Sequence, residues 1–398
     1  MISLDEARAM IAQTVRPLNS LRVPLQEACG RVLRDEVAAP EDLPAFDRSA
    51  MDGYAVGLDD RSECFRIVAE IQPGAVAAVA IRAGECARIF TGAAIPEGAS
   101  QVIMQEDAER DGEWMKPTRR TLDTQIRQRG EDARQGSVLL KTGTRLAPAE
   151  LALLAHLGIT EPRVSPAVRA VHFTTGNELV PPASQPAPGQ IRDTNSILIA
   201  SLLAERGVRL VQQRRCGDSL DELAGAIETT GAEPWDLLLI SGGASVGDYD
   251  FGARALARLG FEIHFRQINL RPGKPLIFAT RGRQVAFVIP GNPVSHYVTF
   301  HTAITRAIEA FEQAPGVWPL AVVPLASELA EAPHPRETWW PAHLAWSAGR
   351  CLAAPLAWQS SGDLCGLVSV NALIRIPPRS APLAAGANAD CLLLDHRF

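Results

Sequence analysis

The chain has 398 residues, of which 46% are hydrophobic, 21% charged and 6% aromatic. That balance is globular and excludes a disordered, collagen-like or disulfide-framework protein. Its 39 Lys and Arg against 45 Asp and Glu leave a formal charge of −6, which disfavours the broad basic face of a general nucleic-acid binder but leaves room for a small anion held by local loops. At about 150 residues per domain, the length predicts two to three domains.

The chain begins Met1-Ile2-Ser3-Leu4-Asp5-Glu6, acidic and without an apolar run behind it, so no signal peptide is expected. No stretch reaches about 18 uninterrupted apolar residues, so no membrane span is expected and the setting is read as cytoplasmic. The seven Cys are dispersed without a CxxC pair, which argues against a structural zinc or iron–sulfur site.

A helix is predicted from Ser3 to about Arg16, with Ser3 as cap, Glu6 three residues on, and Leu4, Ala7, Met10, Ile11 and Val15 at helical spacing. Short β-branched runs follow at Phe65–Ile71, Val76–Ile81, Cys86–Phe90, Val102–Met104 and Ser137–Leu140, giving an all-β or α+β region closed by a helix at Pro148–Leu157. From Arg163 strands and helices alternate. Strands are predicted at Val168–Phe173, Val208–Gln213, Asp236–Ile240 and Val285–Ile289, with Phe261–Asn269 extended. Helices are predicted at Asn195–Glu205 (capped by Asn195), Ser219–Thr229, Phe251–Leu259 and Val294–Phe311. This alternation predicts a parallel, doubly wound α/β sheet. Beyond the Pro-rich break at 314–319 lies a β-rich segment with apolar runs Leu320–Leu325, Cys365–Ile376 and Cys391–Leu394.

In a doubly wound sheet ligands bind where the carboxyl ends of strands meet helix N-termini. Four distinctive loops fall at such points: Thr175-Gly176-Asn177-Glu178, Ser241-Gly242-Gly243-Ala244-Ser245-Val246-Gly247, Arg271-Pro272-Gly273-Lys274 and Pro290-Gly291-Asn292-Pro293-Val294-Ser295. Paired glycines let backbone N–H groups converge on an oxyanion. Glu178, Asp218 and Asp250 fall on the same edge and suit a hard cation bound with a phosphate, although an Asp before a helix, as Asp218 is before Ser219, more often solvates or caps. The stiff Pro272-Gly273 turn is expected to hold Arg271 and Lys274 on one side. His296 and His301 lie five apart on different helix faces and read as packing or surface positions. Three further runs in the N-terminal half, Pro44–Ala55, Arg88–Ala99 and Arg129–Asp132, fit neither helix nor strand periodicity and read as specific loops. Walker A, Gly-x-Ser-x-Gly and Gly-x-Gly-x-x-Gly patterns do not open a helix here, so NTPase, hydrolase and dehydrogenase readings lose support.

Taken in order, Ser49–Ala55, Thr91-Gly92-Ala93, Gly130-Glu131-Asp132, Thr175–Leu179, Ser241–Asp250, Pro272–Pro275 and Pro290–Ser295 resemble the loops of the molybdopterin molybdenumtransferase (MoeA) family, related to the gephyrin E domain. The similarity spans essentially the whole chain. It implies a multidomain α/β plus β protein: a helical/β N-terminal piece (1–45 with 140–165), an inserted β domain (46–139), a MogA-like α/β domain (166–313) and a C-terminal β-barrel-like domain (314–398). It implies a homodimer that inserts molybdate into the dithiolene of adenylylated molybdopterin, with Mg²⁺-dependent release of AMP and with other molybdenum-cofactor biosynthesis or acceptor proteins as further partners. By the matching motifs, Asp52, Thr91 and Asp132 are expected from the partner chain. Glu178, Asp218 and Asp250 would act in catalysis and hold Mg²⁺. Ser241, Gly242, Gly243, Ser245, Arg271, Lys274, Pro290, Pro293 and Ser295 would bind substrate, joined by Ser360 and Ser361 on a looser match.

Asn177 stands where the family usually has Asp, Gln267 where Lys is frequent, and Pro341 where a second Arg is frequent, which predicts a thinner positive charge from the C-terminal domain. The alternative functions are molybdopterin adenylyltransferase, which would leave the Asp52 loop without a purpose, and a non-catalytic scaffold of the same fold, which has no need of intact acidic and cationic loops.

Overall fold

The computed structural model describes residues 1–75, 78–230, 233–243, 251–316, 318–347 and 349–394. The chain divides into two compact units, one made of Met1–Arg34, Gly143–Leu151 and Glu161–Phe398, the other of Asp35–Thr142 and Ala152–Thr160.

In the larger unit the first helix runs Leu4–Thr14 under a complete capping box: Glu6 N–H donates to Ser3 Oγ at 3.1 Å and Ser3 N–H to Glu6 Oε2 at 2.7 Å. Leu4, Ala7 and Ile11 on its inner face are fully buried. Beside it lies a six-stranded sheet in the order Arg209–Cys216, Arg169–Thr175, Leu237–Ser241, Gln284–Ile289, Ile277–Arg281, Glu262–Phe265. The first four strands are parallel and the last two antiparallel. The parallel prediction therefore holds for the core. The edge reverses because the unpredicted strand Ile277–Arg281 forms a hairpin with Gln284–Ile289 across Gly282.

Strand Leu237–Ser241 shows why the sheet needs cover on both faces. Leu237 and Leu239 belong to one apolar cluster, Leu238 and Ile240 to another, so each face of an unbroken apolar strand meets its own helical layer. Each fully buried Leu or Phe stabilises by about 1.5–3 kcal/mol. The chain leaves strand Arg169–Thr175 for Arg209–Cys216 on one side and returns to Leu237–Ser241 on the other. The direction of winding reverses there, at the ends of Thr175 and Ser241, which is where doubly wound sheets bind their ligands.

Two helix predictions are corrected. Thr194, not Asn195, occupies the cap of helix Asn195–Glu205; Asp193 takes the Ser196 N–H at 3.0 Å, and Asn195 donates instead to the Gly291 carbonyl at 2.7 Å. The long helix is Pro293–Thr299 and Thr305–Glu312 joined by a π turn at Phe300–Ile304.

The C-terminal sheet runs in the order Leu270–Arg271, Glu337–Ser347, Ala372–Ile376, Asn388–Leu393, Leu320–Pro324, with Arg350–Pro355 paired to Glu337–Ser347. The hairpin Glu337–Pro355 was not predicted, and the first residues of the expected run Cys365–Ile376 form a 3₁₀ turn at Leu364–Leu367.

The smaller unit holds a six-stranded sheet ordered Gln101–Met104, Gly53–Val56, Glu85–Ile89, Phe65–Ile71, Trp114–Pro117, Ala108–Asp111. Tyr54 and Val56 pack on one face, Ala55 on the other. Of the predicted strand Val76–Ile81, residues 76–77 lie outside the described residues, and 78–81 are irregular. Gly53 is required by proximity, since a Cβ there would stand 2.0 Å from the Ile103 carbonyl oxygen.

Candidate active site

The carboxyl edge of the parallel sheet gathers the expected loops of the larger unit. Gly242 has φ +95°, and a Cβ would lie 2.6 Å from Thr175 Oγ1. Its bare backbone passes across the end of the neighbouring strand, and its N–H donates to the Ile289 carbonyl at 2.9 Å. Asn177 and Asp218 join two loops reciprocally: Asn177 N–H donates to Asp218 Oδ2 at 3.1 Å, and Asp218 N–H to Asn177 Oδ1 at 3.2 Å. Asn177, a departure from the family pattern, thus anchors Asp218. Helix Leu220–Glu228 is capped by Ser219, which leaves Asp218 free of capping duty. Glu178 is exposed, one residue beyond this link. Ser245 and Asp250 lie outside the described residues, and among the described residues no three His, Cys, Asp or Glu side chains cluster as a metal site.

The Ser241 side chain is buried, between His172 Nε2 at 2.7 Å and His296 Nε2 at 2.7 Å, so only its backbone remains for a ligand. The tautomers follow from the ends of the chain of bonds. His296 Nδ1 lies 3.0 Å from the Asn292 carbonyl, which can only accept, so Nδ1 carries the proton and Nε2 accepts from Ser241. Ser241 Oγ in turn accepts from His172 Nε2–H, and His172 Nδ1 accepts from Gln213 Nε2 at 2.8 Å. Gln213 donates its other hydrogen to the Ser196 carbonyl at 2.9 Å. Every member is satisfied with both rings neutral. Burial pushes His172 down to about 3, helped by His296, and His296 down to about 4. Ser295 is also buried, its carbonyl accepting from Thr299 Oγ1 at 2.6 Å.

The Pro290–Pro293 turn meets the C-terminal segment directly. Asn292 Nδ2 donates to Ser361 Oγ at 2.8 Å, and Val294 N–H to the Ser361 carbonyl at 3.1 Å. Ser360 and Ser361, matched only loosely in sequence, are thereby brought to the N-terminus of the helix that begins at Pro293. Trp358 connects this stretch to the cations: its Nε1–H donates to the Ser360 carbonyl at 2.5 Å, and the Arg271 guanidinium lies 5.3 Å from its ring centroid. Arg271 also pairs with Glu331 at 2.5 Å, both partners being part-buried.

Arg336 donates to the Leu270 carbonyl at 3.1 Å; burial and the neighbouring Arg271 lower its pKa, and His334 is lowered by burial and then by the same two arginines. Arg271 and Arg336, with a neutral His334 beside them, therefore form a positive cluster against the carboxylate of Glu331. Pro341 is buried in its strand. Lys274 is exposed and makes no ion pair among the described residues, so the two cations of the turn have different surroundings rather than one shared setting. Gln267 is half-buried between strands.

In the smaller unit the three runs knit together, and two of them are not wholly loops as expected: Arg48–Ser49, Gly53–Val56 and the end of Glu85–Ile89 are strands, because their backbones pair with neighbouring segments. Ser49 N–H donates to Ala93 O at 2.9 Å, Ile95 N–H to Asp47 O at 3.0 Å, Ala50 N–H to Gln125 O at 2.9 Å, and Arg129 N–H to Asp47 Oδ1 at 2.7 Å. Asp52 Oδ1 accepts from both Thr91 N–H and Thr91 Oγ1, each at 2.8 Å, and these bonds hold its pKa below the usual carboxylate value. Asp132 pairs with Arg127, which also binds Glu131 at 3.1 Å. Sequence reasoning had no handle on His172, Gln213, Glu331 or Trp358. None sits in a distinctive loop, and their placement depends on sheet register and on the missed hairpin.

Three family models match the chain: "MoeA N-terminal region (domain I and II)" over residues 2–158, "Probable molybdopterin binding domain" over 172–310 and "MoeA C-terminal region (domain IV)" over 323–394. Among curated proteins, a molybdopterin molybdenumtransferase of Bacillus subtilis is 31% identical across 99% of this chain and 94% of its own length. One of Haemophilus influenzae is 35% identical over 77% of each. Among solved structures, the molybdopterin biosynthesis MoeA protein of Pyrococcus horikoshii superposes with a TM-score of 0.83 at 26% identity, covering 99% of this chain and 100% of that one.

Proposed function

The chain belongs to the MoeA family of molybdopterin molybdenumtransferases, enzymes of molybdenum-cofactor biosynthesis, and on that premise we propose that it inserts molybdate into adenylylated molybdopterin and releases AMP. The observation that carries this reading is the junction at the carboxyl edge of the sheet. There the Gly242-Gly243 backbone and the Asp218–Asn177 link stand on one element set, and Ser361 binds Asn292 at the next. A pyrophosphate ester needs backbone donors; the Gly242 and Val294 N–H groups are taken by the Ile289 and Ser361 carbonyls, which leaves the Gly243 N–H for that part.

Molybdate is a tetrahedral dianion. We assign it to the cluster around Arg271 and Arg336, with Lys274 contributing from the exposed side of the turn, because charge-assisted donors in a part-buried setting bind an oxyanion at about 1.5–3 kcal/mol each. Glu331 and Trp358 fix the Arg271 fork, so the cation is oriented before substrate arrives.

The chemistry of the donor set also fits Mg²⁺. Asp218 spends one oxygen on the Asn177 N–H and keeps the other, Glu178 is exposed beside it, and Mg²⁺ takes one or two protein carboxylates with substrate oxygens and water. When bound, the ion would neutralise the pyrophosphate. Asp250 is retained in that role on its sequence motif alone. Asp52, Thr91 and Asp132 are proposed as further catalytic groups from the inserted β domain. The two bonds from Thr91 keep Asp52 ionised and aimed. The four-domain division and the homodimer are part of the same proposal.

The test uses the purified protein with adenylylated molybdopterin, molybdate and Mg²⁺. AMP should appear only when all three are present and should stop when Mg²⁺ is chelated. ATP consumption with free molybdopterin, and no AMP from the adenylylated form, would overturn the reading in favour of the adenylyltransferase. Sedimentation of a fully active monomer at about micromolar concentration would remove the dimer.

A further inference from the structure

At the opposite edge of the same sheet lies a pocket of about 730 Å³. Its floor is the amino edge: Ser165–Ala167 lead into strand Arg169–Thr175, and Arg206-Gly207 precede its parallel neighbour Arg209–Cys216. Its wall is the π turn Phe300–Ile304, which carries His301, with Tyr297 edge-on to the imidazole at 4.6 Å between ring centroids. Single π turns inside α-helices are frequent at functional sites, because the inserted residue re-aims the side chains around it.

Two polar groups facing this pocket have no partner among the described residues. His301 is only 5% exposed, yet neither Nδ1 nor Nε2 makes a hydrogen bond. A buried polar group left this way costs about 1–3 kcal/mol, so its presence calls for something that binds it. Arg206 is half-buried and makes no ion pair among the described residues, although Arg145 and Arg31 alongside are both occupied. Arg145 holds Glu312 at 2.5 Å and the Gly30 carbonyl at 2.6 Å, and Arg31 holds the Glu27 carbonyl at 3.0 Å. Burial pushes His301 down to about 3, with Arg206 adding to the effect, so the ring is neutral near pH 7 and offers one N–H and one acceptor nitrogen. Burial likewise lowers Arg206, against the nearby carboxylates of Glu309, Glu312 and Glu205. Of the remaining walls, Val370, Leu394 and Pro166 are apolar, while Glu27, Glu205 and Glu312 are acidic, Glu312 being neutralised by Arg145.

We propose that this pocket binds a small organic anion, whose carboxylate or phosphate oxygens take the open donors of Arg206 and His301 while an apolar body lies against Tyr297, Val370 and Leu394. An unpaired guanidinium presents a planar fork matched to two oxygens of either anion. The neutral imidazole fits a ligand that accepts one bond and does not require a second charge. This inference is independent of the proposed reaction, since it uses no residue of the carboxyl-edge loops.

Calorimetric titration of the full chain with phenyl phosphate, benzoate and inorganic phosphate tests it. Saturable binding of phenyl phosphate or benzoate is expected, tighter than inorganic phosphate; which of the two binds better distinguishes phosphate from carboxylate recognition. Arg206→Gln should weaken it about 10-fold or more. His301→Phe should also weaken it, yet should leave the fold at least as stable, because it removes two unpartnered buried nitrogens. Cys29, exposed at the pocket rim, reports location: the ligand should slow its alkylation but not that of exposed Cys64 in the other unit. No saturable binding up to about 10 mM, binding unchanged in both variants, or equal protection of Cys29 and Cys64 would each overturn the proposal. Inorganic phosphate binding as tightly as phenyl phosphate would overturn the apolar part of it.

Discussion

Removing the hydroxyl of Ser241 should damage the fold before it damages substrate binding. Ser241→Ala cuts the Gln213–His172–Ser241–His296–Asn292 chain at its centre, leaving His172 Nε2–H without an acceptor and His296 Nε2 without a donor, 2.7 Å on either side of the lost oxygen. Both rings are buried, and the space of one hydroxyl is too small to admit a water that would serve both. Each orphaned group costs about 1–3 kcal/mol, so about 2–6 kcal/mol should be lost in all. Hydrogen exchange of the Leu237–Ile240 amides reads this locally, which matters in a multidomain chain where a single unfolding transition is not assured. Turnover measured at a temperature where the variant remains folded should fall less than tenfold. Unchanged amide protection with a large loss of turnover would refute the reasoning and return the hydroxyl to the substrate.

Acid should weaken the larger unit. His172, His296 and His301 have folded pKa values pushed below the ordinary 6.5, so the unfolded chain takes up protons first as pH falls. The stability they contribute is intact above about pH 6.5 and is lost below it at about 1.4 kcal/mol per pH unit each, roughly 4 kcal/mol by pH 5.5; urea midpoints that do not change between pH 7.5 and 5.5 would contradict this. Gly53→Ala drives a methyl into the Ile103 carbonyl and should cost the smaller unit about 3 kcal/mol or more, seen as rapid proteolysis within 35–142; wild-type resistance would count against it. Arg271→Lys keeps the charge but loses the fork to Glu331 and the stack on Trp358, so KM for molybdate should rise about 10-fold with a smaller change for the adenylylated substrate. Equal changes for both would place Arg271 on the pyrophosphate instead.

Much of this was legible before any coordinates, and the reason differs from element to element. Strand Phe65–Ile71 and helix Asn195–Glu205 match their predicted bounds because apolar spacing is a local property. The loop motifs were legible because glycines such as Gly242 mark backbone that no other residue could follow. The misses are long-range. Strand Ile277–Arg281 was not predicted, since it takes its place from a hairpin partner, and Glu337–Ser347 runs through three tryptophans and a proline without a clean alternation. Ser241 was assigned to substrate because it opens a glycine loop, whereas its side-chain direction is set by strand parity and by histidines 69 and 55 residues away in sequence. The same distance hid His301, which reads as packing until its lack of partners is seen.

The pairing of Leu270–Arg271 with Glu337–Thr338 bears on how such a chain can be cut and recombined. These two residues lie in sequence among the α/β elements but are hydrogen-bonded into the C-terminal sheet. A truncation after residue 313 would strip the partner from that short ladder, expose a free sheet edge beside the cationic turn, and release Arg271 from Glu331 as well. Grafting a foreign C-terminal segment would have to restore both the ladder register and the acidic partner. The seam between these modules is therefore no simple linker, and this pair of segments should be inherited, exchanged or lost together.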